Sequence, residues 1–376
     1  SGHFAMAMAV TFLYTMEPAA GIAFILAAHA TVAQGGGLTA ILFSTPGTGQ
    51  NAATLLDGPP MRDKGEAGIA VGAAMASCFL GATFGAIVLA LLIPVLREVV
   101  LFFGPPEVFV LAFLALTFVA VLGKEDMTRS LIAALLGMLL AMVGVDNVTN
   151  TFRFTMGSER LADGLQLVPV ILGLFAVAEM IDLWVRGGTL AKDVPTALSA
   201  KETQKQIFKG IGLAFKNWWL VMRCSAIGTG MGLIPGLGSA PAAFVAYGHA
   251  KQSSPDRDTF GKGNVKGVIG PEAANDAVEG GALASTLAFG IPGSSSMAIL
   301  LSGLFILGLE TGPRMLNQNV DIVFVMIFTI IFGNLLGTII GMFLVNPLSR
   351  ATSIRASVMV PVLLSVIATG AFAGER

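Results

Sequence analysis

The chain has 376 residues, of which 55% are hydrophobic and 12% are charged, and its formal net charge is −1. Soluble proteins carry about 25% charged residues, so lipid rather than water must surround most of this chain. The near-zero net charge excludes a nucleic-acid partner bound by bulk electrostatics. Cys78 and Cys224 lie in apolar stretches and predict neither a disulfide framework nor a metal site. The sequence therefore predicts an all-α polytopic membrane protein.

Seven apolar segments approach or exceed the ~20 residues that a membrane-spanning helix needs. They are 68–96, 107–123, 130–145, 166–185, 219–234, 322–344 and 356–373. A membrane barrel would instead show short segments of alternating hydrophobicity. Between the candidate spans, Gly and Pro interrupt further apolar stretches at 5–14, 19–43, 52–56, 273–289 and 297–309. We expect these stretches to form discontinuous helices and re-entrant helical hairpins.

The one long hydrophilic stretch, 186–216, holds six basic residues against two acidic ones. Basic loops face the cytoplasm in membrane proteins, so this stretch is predicted to be a solvated cytoplasmic linker. Trp184, Trp218 and Trp219 flank it, as an aromatic belt at the membrane interface would.

Self-similarity is the most informative pattern in the chain. Pro46-Gly47 recurs as Pro292-Gly293 at an offset of 246 residues, and several neighbouring residues match at the same offset. This pattern predicts two structural repeats, which we expect to be inverted. The first covers 1–185 with its turn at 46–47, and the second follows the linker and covers 217–376 with turns at 235–236 and 292–293. Each is expected to be truncated, the first at its N-terminal and the second at its C-terminal end.

Small polar residues follow all three turns, which are made by Pro46, Pro235 and Pro292. Hydroxyl groups and free N–H groups at helix starts bind anions, and Gly/Pro-interrupted segments at corresponding positions indicate a transport site. The alternative is that the polar residues only cap helices and the turns only serve packing. The candidate substrate-binding residues are Gly47, Thr48, Asn51, Gly236, Gly238, Ser239, Gly293, Ser294 and Ser295.

Acidic residues within apolar segments are candidates for a coupling-ion site. Glu272, Asn275, Asp276 and Glu279 lie on one helical face, where they could bind Na⁺ or carry a proton. The alternative for Glu272 is a structural role beside Pro271 at a helix start. Asp57 is expected at an exposed helix end. Lys and Arg are absent from 1–61, 224–250 and 267–313, so an anionic substrate would be balanced by helix dipoles, hydroxyls and a co-transported cation.

Enzymatic function is not predicted. His3, His29 and His249 show no metal-ligand spacing with each other or with carboxylates, and no nucleotide-binding P-loop is present. An intramembrane hydrolase using Ser294 or Ser295 and a passive organic-anion channel remain the alternative functions. No cofactor is expected besides the coupling ion.

Four long motifs closely resemble the large membrane subunit of tripartite tricarboxylate transporters, the TctA family, and the resemblance covers nearly the whole chain. They are STPGTGQNAATLLDGPPMRDKGEAG at 44–68, RFTMGSERLADGLQLVPVILGLFAVAEM at 153–180, GLIPGLGSAPAAFVAY at 232–247 and FGKGNVKGVIGPEAANDAVEGGALASTLAFGIPGSSSMAILLSG at 260–303. One departure is Asp276, where the family more often has Asn.

The resemblance implies a multi-pass secondary transporter in the bacterial inner membrane that imports tricarboxylates or dicarboxylates. A Na⁺ or H⁺ gradient would drive it. The resemblance also implies an elevator-like movement of the hairpin-bearing part against a scaffold. A small membrane subunit and a periplasmic solute-binding protein would be its partners.

Overall fold

The computed structural model describes residues 2–44, 47–102, 104, 106–107, 109–110, 113, 127–146, 151–158, 161–162, 164–165, 170, 172–178, 181, 184–185, 200–235, 237–351, 361, 364–365 and 368. Its helices in chain order are α1 (Gly2–Val10), α2 (Pro18–Phe43), α3 (Gly58–Asp63), α4 (Ala67–Leu101), α5 (Met127–Ala141), α6 (Ala200–Lys216), α7 (Trp218–Gly232), α8 (Ser239–Gln252), α9 (Lys266–Phe289), α10 (Ser295–Ile306), α11 (Pro313–Asn317) and α12 (Val320–Ala351).

Short elements complete the described part of the chain. They are 3₁₀-helices at Leu13–Thr15, Gly49–Leu56 and Arg257–Thr259, a π-helix at Leu172–Val177, and the strands β1 (Gly144–Val145) and β2 (Phe152–Arg153). The strands pair antiparallel, with Gly144 opposite Arg153. The predicted helical fold is thus confirmed for the described part of the chain.

Three described helices are long and apolar enough to cross a membrane: Pro18–Phe43, Ala67–Leu101 and Val320–Leu344. The last two match the predicted spans 68–96 and 322–344. The predicted span 219–234 forms α7, whose 15 residues extend only about 22 Å at 1.5 Å per residue. The span predicted at 130–145 ends as a helix at Ala141 and continues into β1. The predicted spans 107–123, 166–185 and 356–373 lie largely outside the described residues.

Helix α2 differs from the prediction, because 19–43 forms one continuous helix rather than an interrupted stretch. Its glycines provide space for polar side chains instead of breaking the helix. A Cβ atom on Gly36 would lie 2.1 Å from Asn51 Oδ1, and one on Gly37 would lie 3.0 Å from Glu272 Oε1. Gly36 and Gly37 therefore allow polar side chains to approach the helix backbone.

Helix α9 lies at the centre of the fold, and every residue from Gly267 to Ala288 is buried. Glycines on both neighbouring helices allow close backbone contact with it, a packing mode typical of membrane helices. A Cβ atom on Gly81 of α4 would lie 2.1 Å from the Ala273 carbonyl oxygen. One on Gly228 of α7 would lie 2.2 Å from the Ala274 carbonyl oxygen. Small residues thus position α9 between α4 and α7.

This packing predicts opposite effects for two substitutions in α7. Gly228→Ala should destabilise the protein by about 1–3 kcal/mol, because the new methyl group collides with α9. Gly230→Ala should be neutral or stabilise by up to about 1 kcal/mol, since no other described segment lies within 4 Å of its Cβ position. Thermal unfolding of both purified variants in detergent measures the difference, and equal unfolding temperatures would contradict the proposed contact.

Two helix ends have matching geometry at the offset of the sequence repeat. The residue directly after each helix, Ser44 (φ 52°) after α2 and Gly290 (φ 67°) after α9, has the left-handed conformation. The next helices begin after extended residues, Thr48 (φ −147°, ψ 165°) and Ser294 (φ −154°, ψ 169°). We call α2 with the 3₁₀-helix Gly49–Leu56 the first hairpin, and α9 with α10 the second hairpin.

The described part of the basic linker is helical rather than a loop. Helix α6 packs on α4 through Ile207, whose carbonyl oxygen would lie 2.1 Å from a Cβ atom on Gly72. Lys201, Lys205, Lys209 and Lys216 are on its exposed face. Residues 186–199 lie outside the described residues.

Candidate functional site

The polar residues after the first turn point into the protein. Thr48 donates a hydrogen bond to Asn51 Oδ1 at 2.8 Å, and Asn51 Nδ2 donates to the Ala33 carbonyl at 3.1 Å. Gly47 N–H donates to the Gly36 carbonyl at 3.4 Å. The turn is thereby held against the glycine-rich part of α2. Pro46 lies outside the described residues.

The second turn meets the first hairpin directly. Ser239, the first residue of α8, donates a hydrogen bond to Gln50 Oε1. Gly238, just before it, has φ 73°, a conformation that favours glycine. Pro235 follows the end of α7, and Gly236 lies outside the described residues. Two of the three predicted polar clusters are therefore in contact through a residue, Gln50, that was not singled out as a binding residue.

The third turn lies against the end of α7. A Cβ atom on Gly293 would lie 2.9 Å from Ala282 Cβ and 3.3 Å from the Gly232 carbonyl oxygen. Ser294 accepts a hydrogen bond from Met297 N–H at 3.2 Å and so caps α10. This capping role is the alternative that the sequence left open for such residues. Pro292 is half-buried, and the side chain of Ser295 lies outside the described part.

Glu272 links α9 to the first hairpin and to α4. It is 1% exposed. Its Oε1 accepts a hydrogen bond from the Thr54 hydroxyl and a longer one, 3.5 Å, from Asn51 Nδ2. Its Oε2 accepts from Cys78 Sγ at 3.2 Å. Pro271 and Glu272 lie within α9, which begins at Lys266, so Glu272 is not at the helix start that the alternative assumed.

Asp276 lies one turn further along α9 and is also 1% exposed. Neither of its carboxylate oxygens has a hydrogen-bond partner among the described residues, and the same holds for both polar atoms of Asn275. Ligand atoms of Cys78, Glu272 and Asp276 all lie within 4.8 Å of one another. We call these three residues the acidic cluster. Cys78, for which the sequence predicted no metal site, is thus close enough to both carboxylates to share an ion with them.

A buried histidine–carboxylate pair lies next on the same face of α9. His29 Nε2 of α2 is 2.6 Å from Glu279 Oε2, and both side chains are nearly inaccessible. His29 Nδ1 has no hydrogen-bond partner among the described residues. Sequence spacing could not reveal this pair, since its residues are 250 positions apart. The presence of His29 within an apolar stretch was the only available signal.

Asp57 is completely buried, so the expectation of an exposed helix end was wrong. Its Oδ1 accepts hydrogen bonds from the N–H groups of Gly261, Gly263 and Asn264 at 2.7–2.9 Å. Its Oδ2 accepts from the Tyr247 hydroxyl at 2.9 Å. Asp57 thus fastens the end of the first hairpin to the segment that precedes α9.

The same segment carries an ion pair. Asp256 accepts a hydrogen bond from Lys266 Nζ at 2.7 Å. This bond, followed by one from Asn264, lowers the pKa of the Asp256 carboxyl below its usual range.

Helices that break inside the fold around a buried acidic cluster define a helical membrane protein with a polar interior site. Along residues 1–376 the chain matches the model of the tripartite tricarboxylate transporter TctA family. The chain therefore belongs to the TctA family, which is a family of transporters that work in tripartite systems.

Two relatives from Agrobacterium vitis are similar to the chain. An "uncharacterized 52.8 kDa protein in TAR-I ttuC' 3'region" is 30% identical over 325 residues, which is 83% of this chain and 61% of that protein. An "uncharacterized protein in TAR-II ttuC' 3'region" is 33% identical over 91 residues, which is 24% of this chain and 38% of that protein. The chain thus spans about three fifths of the first relative's length. No solved structure matches it significantly.

Proposed function

We propose that this chain is the permease subunit of a secondary transporter that imports carboxylates in the bacterial inner membrane. A Na⁺ or H⁺ gradient drives the transport. A periplasmic solute-binding protein delivers the substrate, and a small membrane subunit completes the system. The observation that carries the proposal is the buried acidic cluster with its neighbour Glu279, in a chain that belongs to a transporter family.

The buried acidic residues favour ion coupling over a purely structural role. Carboxylates inside a membrane protein are costly and mark ion or proton pathways. Glu272 and Asp276 are fully enclosed, and Asn275 and Asp276 keep unused polar atoms. We propose that these three residues handle the coupling ion, as their shared helical face predicts.

The substrate site is proposed at the three turns. Gln50 and Ser239 join the first two turns, and Gly293 packs near the end of α7. Helix starts with hydroxyl groups at these turns would bind the carboxylates of the substrate. The proposed substrate-binding residues are Gly47, Thr48, Asn51, Gly236, Gly238, Ser239, Gly293, Ser294 and Ser295.

The two hairpins are proposed to be corresponding parts of two inverted repeats that move in an elevator-like manner. Their matching helix ends support this proposal. Ser44 and Gly290 share the left-handed conformation, and Thr48 and Ser294 share the extended one. Gly47 packs on Gly36 as Gly293 packs on Ala282. Each of these residues of the second hairpin lies 246 positions after its counterpart in the first.

Uptake into ATP-free vesicles tests the function. The purified protein would be reconstituted with its small subunit and binding protein, and labelled citrate and smaller dicarboxylates would be followed. We expect uphill accumulation under an inward Na⁺ gradient or under a proton gradient. Equilibration without accumulation under either gradient would replace the proposal with a passive anion channel.

Gly293→Val should abolish uptake while leaving membrane insertion intact. The reason is space, because Gly293 does not have a positive φ and its Cβ position lies 2.9 Å from Ala282 Cβ. Gly35→Val is the matched control, since none of the other segments that the structure describes lies within 4 Å of the Cβ position of Gly35 in α2. Uptake and membrane content would be measured together. Undiminished uptake by Gly293→Val would show that this turn does not form the site.

A further inference from the structure

The acidic cluster brings two buried carboxylates together, and the hydrogen-bond partners of Glu272 are all uncharged. Glu272 and Asp276 lie within the cluster and Glu279 is one turn away, while His29 is the one titratable base on α2. Neither α2, nor the 3₁₀-helix Gly49–Leu56, nor residues 67–96 of α4 contain Lys or Arg. Uncompensated charges are expensive at membrane depth. A mobile cation or bound protons must therefore supply the missing positive charge.

The hydrogen bonds around Glu272 favour a cation over a proton at this residue. The Thr54 hydroxyl, the Asn51 amide and the Cys78 thiol all donate to its oxygens. Donors directed at a carboxylate stabilise its ionised form, whereas a protonated carboxyl group needs an acceptor. These three donors therefore stabilise the ionised form of Glu272 and offset part of the cost of burying its charge.

Asp276 contributes a second carboxylate to the same site. Both of its oxygens are buried and without a hydrogen-bond partner among the described residues. An unsatisfied buried carboxylate is a strong indication of a missing ligand. Its ligand atoms, with those of Glu272 and Cys78, lie within 4.8 Å of one another, a separation that one ion can bridge.

We propose that one Na⁺ binds between Glu272 and Asp276, with Cys78 at the edge of the site and Thr54 closing it from the first hairpin. This inference rests on the proposed function and selects Na⁺ over H⁺ as the ion at these residues. Oxygen ligands suit a hard cation, and the Thr54 hydroxyl keeps lone pairs for it. Because Thr54 and Glu272 belong to different hairpins, the bound cation holds the first hairpin against α9.

The rate of Cys78 alkylation tests the site without measuring transport. The chain has two cysteines, so the variant Cys224→Ser leaves Cys78 as the single thiol. Cys224 lies on α7, outside the acidic cluster. The purified protein would be treated with N-ethylmaleimide in NaCl or in choline chloride of equal ionic strength. The alkylated fraction would be followed by intact mass. If bound Na⁺ protects the thiol, only protein with an empty site reacts. At a Na⁺ concentration ten times the Kd of the site, alkylation should therefore slow about 10-fold.

Asp276→Asn in the same background should remove the Na⁺ effect, and Glu310→Gln, an exposed control, should retain it. Equal alkylation rates in Na⁺ and choline would overturn the site. If buried Cys78 reacts in neither salt, the unfolding temperature decides. A rise with Na⁺ that Asp276→Asn abolishes supports the site, and no rise overturns it.

The same preparations separate this inference from the proposed function. Na⁺ protection of Cys78 without gradient-driven uptake would keep the cation site and overturn transport. Na⁺-driven uptake without protection or a shift in unfolding temperature would keep transport and overturn this site.

Discussion

Carboxylate uptake should fall about 100-fold or more in Glu272→Gln, equal to about 2.7 kcal/mol in the free energy of activation. The substitution removes the negative charge at nearly constant volume. The Thr54 hydroxyl and the Cys78 thiol donate to the two carboxylate oxygens. In the variant an NH₂ group, which is itself a donor, replaces one of these oxygens. Buried donors without acceptors are costly. Uptake in reconstituted vesicles, normalised to the amount of protein in the membrane, measures the effect.

Glu310→Gln is the control for that experiment. Glu310 forms an exposed pair with Arg314, and its loss should leave uptake unchanged, since such pairs contribute little. Uptake by Glu272→Gln equal to that of Glu310→Gln would contradict a role of Glu272 in transport. Reduced membrane content of Glu272→Gln with normal uptake per molecule would also contradict it and indicate a purely structural residue.

Asp57→Ala should destabilise the protein by more than about 3 kcal/mol. Three backbone N–H groups and the Tyr247 hydroxyl lose their acceptor, and each unsatisfied buried donor costs about 1–3 kcal/mol. Asp57→Asn should be milder, because its amide oxygen can still accept the three N–H bonds made to Oδ1. Thermal or denaturant unfolding in detergent would measure both variants.

Asp63→Ala is the matched control for Asp57. The Asp63 side chain is 60% exposed and pairs with the neighbouring Arg62, so its loss should cost less than about 1 kcal/mol. If Asp57→Ala and Asp63→Ala unfold at the same temperature, the buried carboxylate does not fasten the hairpin to the segment before α9.

Local patterns in the chain were sufficient for several features. The apolar runs predicted α4 and the span within α12, because a helix that meets lipid must be apolar over its whole length. The spacing of Glu272 and Asp276 predicted a common face on α9, because a helix brings every third or fourth residue to one side. Pro-Gly at 292–293 predicted the break between α9 and α10.

Other expectations failed because glycine has two opposite uses. The apolar stretch 19–43 was expected to be interrupted, yet α2 is continuous there. Gly36 and Gly37 instead leave room for the side chains of Asn51 and Glu272. Only the position of those side chains distinguishes a helix-breaking glycine from one that permits close approach.

Sequence by itself thus determined the class of protein, the turn between α9 and α10, and the acidic face of α9, since each depends on composition or on short-range periodicity. Only the tertiary structure decided that Thr54, Cys78 and Asp276 surround Glu272, that His29 meets Glu279, and that Asp57 is buried. These contacts join residues about 200 positions or more apart, apart from the pair of neighbours on α9. Contacts between residues so far apart leave no periodic pattern in the sequence. They form only when the helices pack together, as α4 and α7 do against α9 through their glycines.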